Sequence, residues 1–107
     1  MAKKSAHRKA LEWIALHPTE FCQGKKVVAS LIEANLFDKG RMIAQPDVVF
    51  YCTGKEIYII EYKGNGNGEL LQRAQEQLNR AAFWFGKYTD FDSEKIYTKI
   101  VVGKDLR

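Results

Sequence analysis

Cysteine is scarce in this chain. Cys22 and Cys52 stand far apart, with no C-x-x-C pair and no metal-type neighbour. That spacing argues against a structural zinc site. Two buried thiols in a reducing compartment are expected, with a disulfide as the alternative. Long apolar runs are missing too: residues 48–52 and 57–60 fall far short of the ~20 residues a bilayer span needs. The basic N-terminus, Met1-Ala2-Lys3-Lys4-Ser5-Ala6-His7-Arg8-Lys9, is followed by no apolar signal-peptide core. A cytoplasmic protein without a membrane partner is the expectation. The two histidines, His7 and His17, are isolated and read as surface or helix-end residues. There is no internal repeat and no linker.

What is present bounds the answer further. At 107 residues, 1–107 is one domain's worth of chain. Its 46% hydrophobic and 28% charged residues exclude a disordered chain. The net charge of +4 mildly favours polyanionic partners such as DNA or RNA.

Residues 5–16 read as a first helix, capped by Ser5 and ended by His17-Pro18. A second helix is expected from Gly24 or Lys25 to Asn35, with Val27, Val28, Leu31, Ile32 and Ala34 on its buried face. Asp38-Lys39-Gly40 reads as a turn, and residues 42–44 as a short strand. Residues 48–52 and 57–60 are runs of β-formers around Thr53-Gly54-Lys55-Glu56, a hairpin signature. Both are apolar on both faces, as in strands covered by helices on each side. Gly64-Asn65-Gly66-Asn67-Gly68 reads as a flexible loop without phosphate-loop spacing. A third helix is expected over 69–85, its stripe Leu71, Ala74, Leu78, Ala81 and Phe85, ended by Gly86. Residues 96–102 close the chain as a strand. The fold class is α/β: a central mixed sheet flanked by helices, in the order α-α-(β)-β-β-α-β.

The chemistry sits at the hairpin ends. Asp47 opens one apolar strand after Pro46; Glu61 closes the other, with Lys63 two residues on. Burying a carboxylate on an apolar strand is costly, and two that converge repel each other. A divalent cation would relieve both, and oxygen ligands suit Mg²⁺ or Mn²⁺. Glu61 and Lys63 share a face because they are two apart. Asp47 joins them only if the hairpin loop has an odd number of residues or a bulge intervenes. With Thr53 opposite Ile57, Asp47 would face Lys63; with Thr53 opposite Glu56, it would point away. The bland alternatives are a turn aspartate after proline and a solvated strand end with a weak ion pair.

Gln45-Pro46-Asp47, thirteen residues, then Glu61-Tyr62-Lys63 resembles the signature of the PD-(D/E)XK nuclease superfamily, which includes restriction enzymes, archaeal Holliday junction resolvases and repair nucleases. The resemblance covers the hairpin and the following helix, and implies a restriction-endonuclease-like core. It further implies that Asp47 and Glu61 ligate the metal, with the Tyr62 main-chain carbonyl as a further ligand. Lys63 would position or help deprotonate the attacking water and neutralise charge at the scissile phosphate. Members often carry a glutamine on the next helix, and Gln77 fits best, with Gln75 and Gln72 as alternatives. They often carry an acid on an N-terminal helix, for which Glu33, Glu12 and Glu20 compete, the first two level.

Lys3, Lys4, Arg8 and Lys9 are candidates for a phosphate-contacting arm, against a disordered basic tail. Lys25 and Lys26, near the expected second helix start, are further nucleic-acid candidates. Tyr62, Tyr58 and Trp84 could stack on bases, although Tyr58 and Trp84 read better as core. The leading expectation is a Mg²⁺-dependent endonuclease acting on DNA, with junction-resolvase-like structure specificity as a subtype. That subtype implies a homodimer, whose apolar patch would involve Phe83 and Trp84. The competing readings are a non-catalytic nucleic-acid-binding module on the same fold, and a structural partner in a larger assembly.

Overall fold

The computed structural model describes residues 5–103. Helix α1 (Ala6–Leu16) starts where Ser5 accepts the Arg8 N–H at 3.0 Å, and ends at His17 before Pro18. Strand β1 (Val27–Ile32) follows, then a short hairpin of β2 (Leu36–Asp38) and β3 (Arg41–Ala44). Strands β4 (Val48–Cys52) and β5 (Glu56–Lys63) form the apolar hairpin, helix α2 (Gly68–Tyr88) crosses over, and β6 (Ile96–Val102) closes the sheet.

The main sheet has the order β1-β4-β5-β6. The β1–β4 and β4–β5 pairs are antiparallel and β5–β6 is parallel, so the sheet is mixed, as expected. A parallel pair needs a crossover connection, and α2 supplies it. One face of β4 and β5 packs Val48, Phe50, Tyr58 and Ile60 against Leu11 and Ile14 of α1. The other packs Val49, Ile57 and Ile59 against Leu78, Ala81 and Phe85 of α2. Hence both strands are apolar without alternation: each of their faces is covered by a helix.

The expected second helix is absent: residues 27–32 form strand β1, and the element order is α-β-β-β-β-β-α-β. Two physical features explain the error. Val27, Val28 and Ile32 are β-branched and favour a pleated surface. A bulge between Val27 and Ala29 breaks the two-residue alternation, so the apolar positions imitate a helical stripe. The Asp38-Lys39-Gly40 turn is present as the β2–β3 connection, with Lys39 and Gly40 at positive φ (52° and 80°). Gly86 does not end α2, which continues to Tyr88. A glycine costs a helix only about 1 kcal/mol, and beyond it Lys87 (3.3 Å) and the Tyr88 hydroxyl both engage Asp38. Ala74, Leu78, Ala81 and Phe85 are buried as expected, with Leu71 half-buried. No helix among the described residues is long and apolar enough to cross a membrane.

Candidate active site

The β4–β5 register decides where the motif residues meet. Cys52 pairs with Glu56 across the three-residue loop Thr53-Gly54-Lys55, and Val48 pairs with Ile60. The loop length is odd, as the site requires. This register is shifted by two residues from the one that faces Asp47 with Lys63, and continuing it past Val48 sets Asp47 at the level of Glu61. Parity is unchanged, so the register meets the condition set for the site. Asp47 itself lies in the bend before β4, where its Oδ1 meets His7 of α1 and its Oδ2 accepts the Tyr62 N–H.

At this end of the ladder the carboxylates replace backbone acceptors. The Asp47 N–H donates to Glu61 Oε1 at 3.1 Å, and the Tyr62 N–H donates to Asp47 Oδ2 at 2.8 Å. Asp47 is 8% exposed and Glu61 3%. Burial, and then the charge of Asp47, push the Glu61 carboxyl up to about 7; the Asp47 N–H and the Lys63 charge oppose that rise. Lys63 is half-buried and close enough to act on Glu61, and it forms no ion pair with a described carboxylate.

Two neighbours complete the cluster. Gln77 reaches from α2, its Oε1 accepting the Gln45 N–H at 3.4 Å, two residues before Asp47. Gln75 instead donates to Asn79 on its own helix. From α1, His7 Nε2 lies 3.3 Å from Asp47 Oδ1, and its ring lies 5.8 Å from that of Tyr62. His7 is thus placed at the site and not merely at a helix end. Its sequence signal was weak: a lone histidine in the first turn of a helix carries no spacing to the hairpin motif, and only packing of α1 on the sheet brings them together.

The two level candidates for the additional acid converge on one cation. Arg8 donates to Glu12 Oε2 at 3.3 Å and to Glu33 Oε1 at 2.7 Å. Glu33, at positive φ (54°) in the β1–β2 turn rather than on a helix, also donates its N–H to the Asp47 carbonyl at 2.9 Å. Glu33 borders the site through that bond, and Arg8 engages both acids. Glu20 lies in a 3-10 turn at the rim of another cavity.

The remaining cationic candidates are not gathered here. Lys25 ion-pairs with Glu56 at 3.4 Å beside the hairpin loop, the opposite end of β5 from Glu61. Lys26 precedes β1 at that same end, so neither lysine sits at a helix start. Arg8 is committed to its two glutamates, and Lys3 and Lys4 lie outside the described residues. Trp84 is half-buried, its Nε1–H donating to the Phe37 carbonyl at 2.8 Å, whereas Phe83 is exposed. Cys22 and Cys52 are both buried and free.

Among the described residues no group of three or more His, Cys, Asp or Glu side chains is arranged to hold a metal ion. Asp47 and Glu61 are therefore the two side-chain oxygen donors the site offers. Two carboxylates still fit Mg²⁺, which commonly keeps several waters and takes only one or two protein carboxylates. Their burial and mutual repulsion are what a bound cation would offset. Comparison with family models, with curated proteins and with solved structures returned no match for this chain.

Proposed function

We propose that this chain is a cytoplasmic metal-dependent endonuclease on a restriction-endonuclease-like core, hydrolysing phosphodiester bonds in DNA. One observation carries the reading: two buried carboxylates, Asp47 and Glu61, meet at the end of an apolar hairpin, with Lys63 two residues beyond Glu61 on the same face of β5. The mixed sheet with a helix on each face is consistent with that core.

In this reading Asp47 and Glu61 hold Mg²⁺ or Mn²⁺, with the Tyr62 carbonyl as a further ligand. The ion would lower the pKa of a bound water and offset charge on the phosphate. Lys63 supplies a donor that orients the attacking water and neutralises charge developing on the phosphoryl oxygens. Gln77 tethers the Gln45-Pro46-Asp47 segment, fixing the aspartate at the strand end. Structure-specific, junction-resolvase-like cleavage by a homodimer is the subtype we favour, with exposed Phe83 on the face to test for dimer contacts.

The deciding experiment incubates the protein with plasmid, linear, branched and single-stranded DNA in Mg²⁺, Mn²⁺ or EDTA. Cleavage should need the metal, and Asp47→Ala and Lys63→Ala should lower it by at least about 100-fold. Cleavage that persists unchanged in both variants would sink the site. A metal-insensitive protein that binds DNA without cutting it would instead favour the non-catalytic module.

A further inference from the structure

A second cavity of about 390 Å³ opens at the β6 edge of the sheet, lined among others by Glu20, Phe21, Tyr58, Tyr97, Thr98 and Lys99. Its distinctive element is Tyr97, 37% exposed on an edge strand. The ring is braced from behind. It stacks on the buried Tyr58 ring with centroids 4.8 Å apart and planes 26° from parallel. Its hydroxyl donates to Glu56 Oε1 at 3.4 Å, and Lys25 holds that carboxylate at 3.4 Å. Glu56 is buried, and its Oε2 faces the Lys25 ammonium as an ion pair without an aligned hydrogen bond. A carboxylate kept in so costly a place fixes the edge of a ring whose outer surface is left to solvent.

Lys99 lies two residues beyond Tyr97 on the same side of β6, about 7 Å along the strand. It is exposed, with no ion pair to a described carboxylate. A rigid aromatic face beside an exposed cation, rimmed by Gln23 and Thr98, is suited to a nucleotide whose base is unstacked, with the Glu20 carboxylate on the rim opposing any phosphate placed away from Lys99. In duplex DNA the base faces are occupied by their neighbours, so such a platform selects single strands.

We propose that this cavity is a stacking subsite for an unpaired base of single-stranded DNA, with Tyr97 as the platform and Lys99 on the neighbouring phosphate. The subsite deepens the nuclease reading and rests on it for its role, which is to hold DNA flanking the cut. Tyr58 lies three residues from Glu61 on β5, about 10 Å away and on the opposite face. The subsite therefore does not hold the scissile phosphate.

The test measures anisotropy of a fluorescein-labelled oligothymidylate in EDTA, where binding is read without cleavage. Tyr97→Ala and Lys99→Gln should each weaken binding about tenfold, while Tyr97→Phe stays near wild type. Binding to a blunt duplex should not respond to Tyr97→Ala. Because that variant could disturb the edge strand, a 5-iodouracil oligonucleotide is also photocrosslinked to the wild-type chain, with the crosslink expected at Tyr97. Unchanged affinity in Tyr97→Ala, an equal loss on duplex, or crosslinks that avoid Tyr97 would each overturn the subsite. Tyr97-dependent binding without any Mg²⁺-dependent cleavage would uphold the subsite and overturn the nuclease reading. Cleavage that needs Asp47, together with binding indifferent to Tyr97, would do the reverse.

Discussion

Asp47 and Glu61 terminate the β4–β5 ladder against each other: the Asp47 N–H donates to Glu61 Oε1 at 3.1 Å, and Asp47 Oδ2 accepts from Tyr62 next door at 2.8 Å. Both carboxylates are buried, so each serves as a backbone acceptor while lacking water to solvate its charge. This arrangement is stable only under conditions that limit the charge, and the conditions can be varied.

The first is pH. Burial and then the charge of Asp47 raise the Glu61 carboxyl from an ordinary 4.5 to about 7. The folded protein thus holds this proton more tightly than the unfolded chain. Stability from this group is complete below about pH 4.5 and is lost as pH rises through about 7. In EDTA, the Tm should fall between about pH 5 and about pH 8. Glu61→Gln, which keeps the shape without the charge, should flatten that fall and melt higher than wild type at the alkaline end. A slope identical in wild type and variant would show that Glu61 does not carry it.

The second is a divalent cation. Under the proposed function, Mg²⁺ or Mn²⁺ at about pH 8 should raise the Tm, because an ion that binds only the folded state stabilises it by mass action. At ion concentrations about 100 times the Kd the gain is about 2.7 kcal/mol. For a domain of this size each kcal/mol moves the Tm by roughly 4–8 °C. Asp47→Asn should abolish the shift. Calorimetry in which both proteins respond equally to the ion would place its binding elsewhere.

His7 offers a test of positioning. Its Nε2 lies 3.3 Å from Asp47 Oδ1, and its side chain is 46% exposed. Removing it should hardly change stability, yet leave the Asp47 carboxylate less well oriented. Partners of this kind typically contribute 10–100-fold to metal affinity or activity, so His7→Ala should lower Mg²⁺-dependent cleavage by about that factor. Near-wild-type melting with lower cleavage and weaker metal response is the expected pattern. Full cleavage in His7→Ala would remove this residue from the site.

Gly103 marks a close approach beside Lys63. A Cβ added there would lie 2.6 Å from the Gly64 carbonyl oxygen and 3.0 Å from the Tyr62 hydroxyl. The first contact is with backbone, so the segment following Lys63 must move. Gly103→Ala should cost roughly 1–3 kcal/mol, visible as a lower urea midpoint at constant m. A midpoint equal to wild type would show that this end of the sheet yields freely.

Much of this protein was legible in the chain alone. The hairpin, both flanking helices and the last strand follow from local signals: Ser5 and Pro18 bracket α1, β-formers fill residues 48–52 and 57–60, and an apolar stripe runs from Ala74 to Phe85. Asp47, Glu61 and Lys63 stood out because charge on apolar strands is costly wherever the strands go. Other features depended on partners distant in sequence. Residues 27–32 have apolar positions that suit a helix or a bulged edge strand, and only pairing with β4 makes them β1. The hairpin register depends on which residues close its loop, and His7 beside Asp47 and Arg8 reaching Glu33 arise when α1 settles on the sheet. Local preference is a property of neighbours in the chain, whereas register and convergence are properties of packing. The motif's letters were therefore readable in advance, and their meeting was decided by the fold.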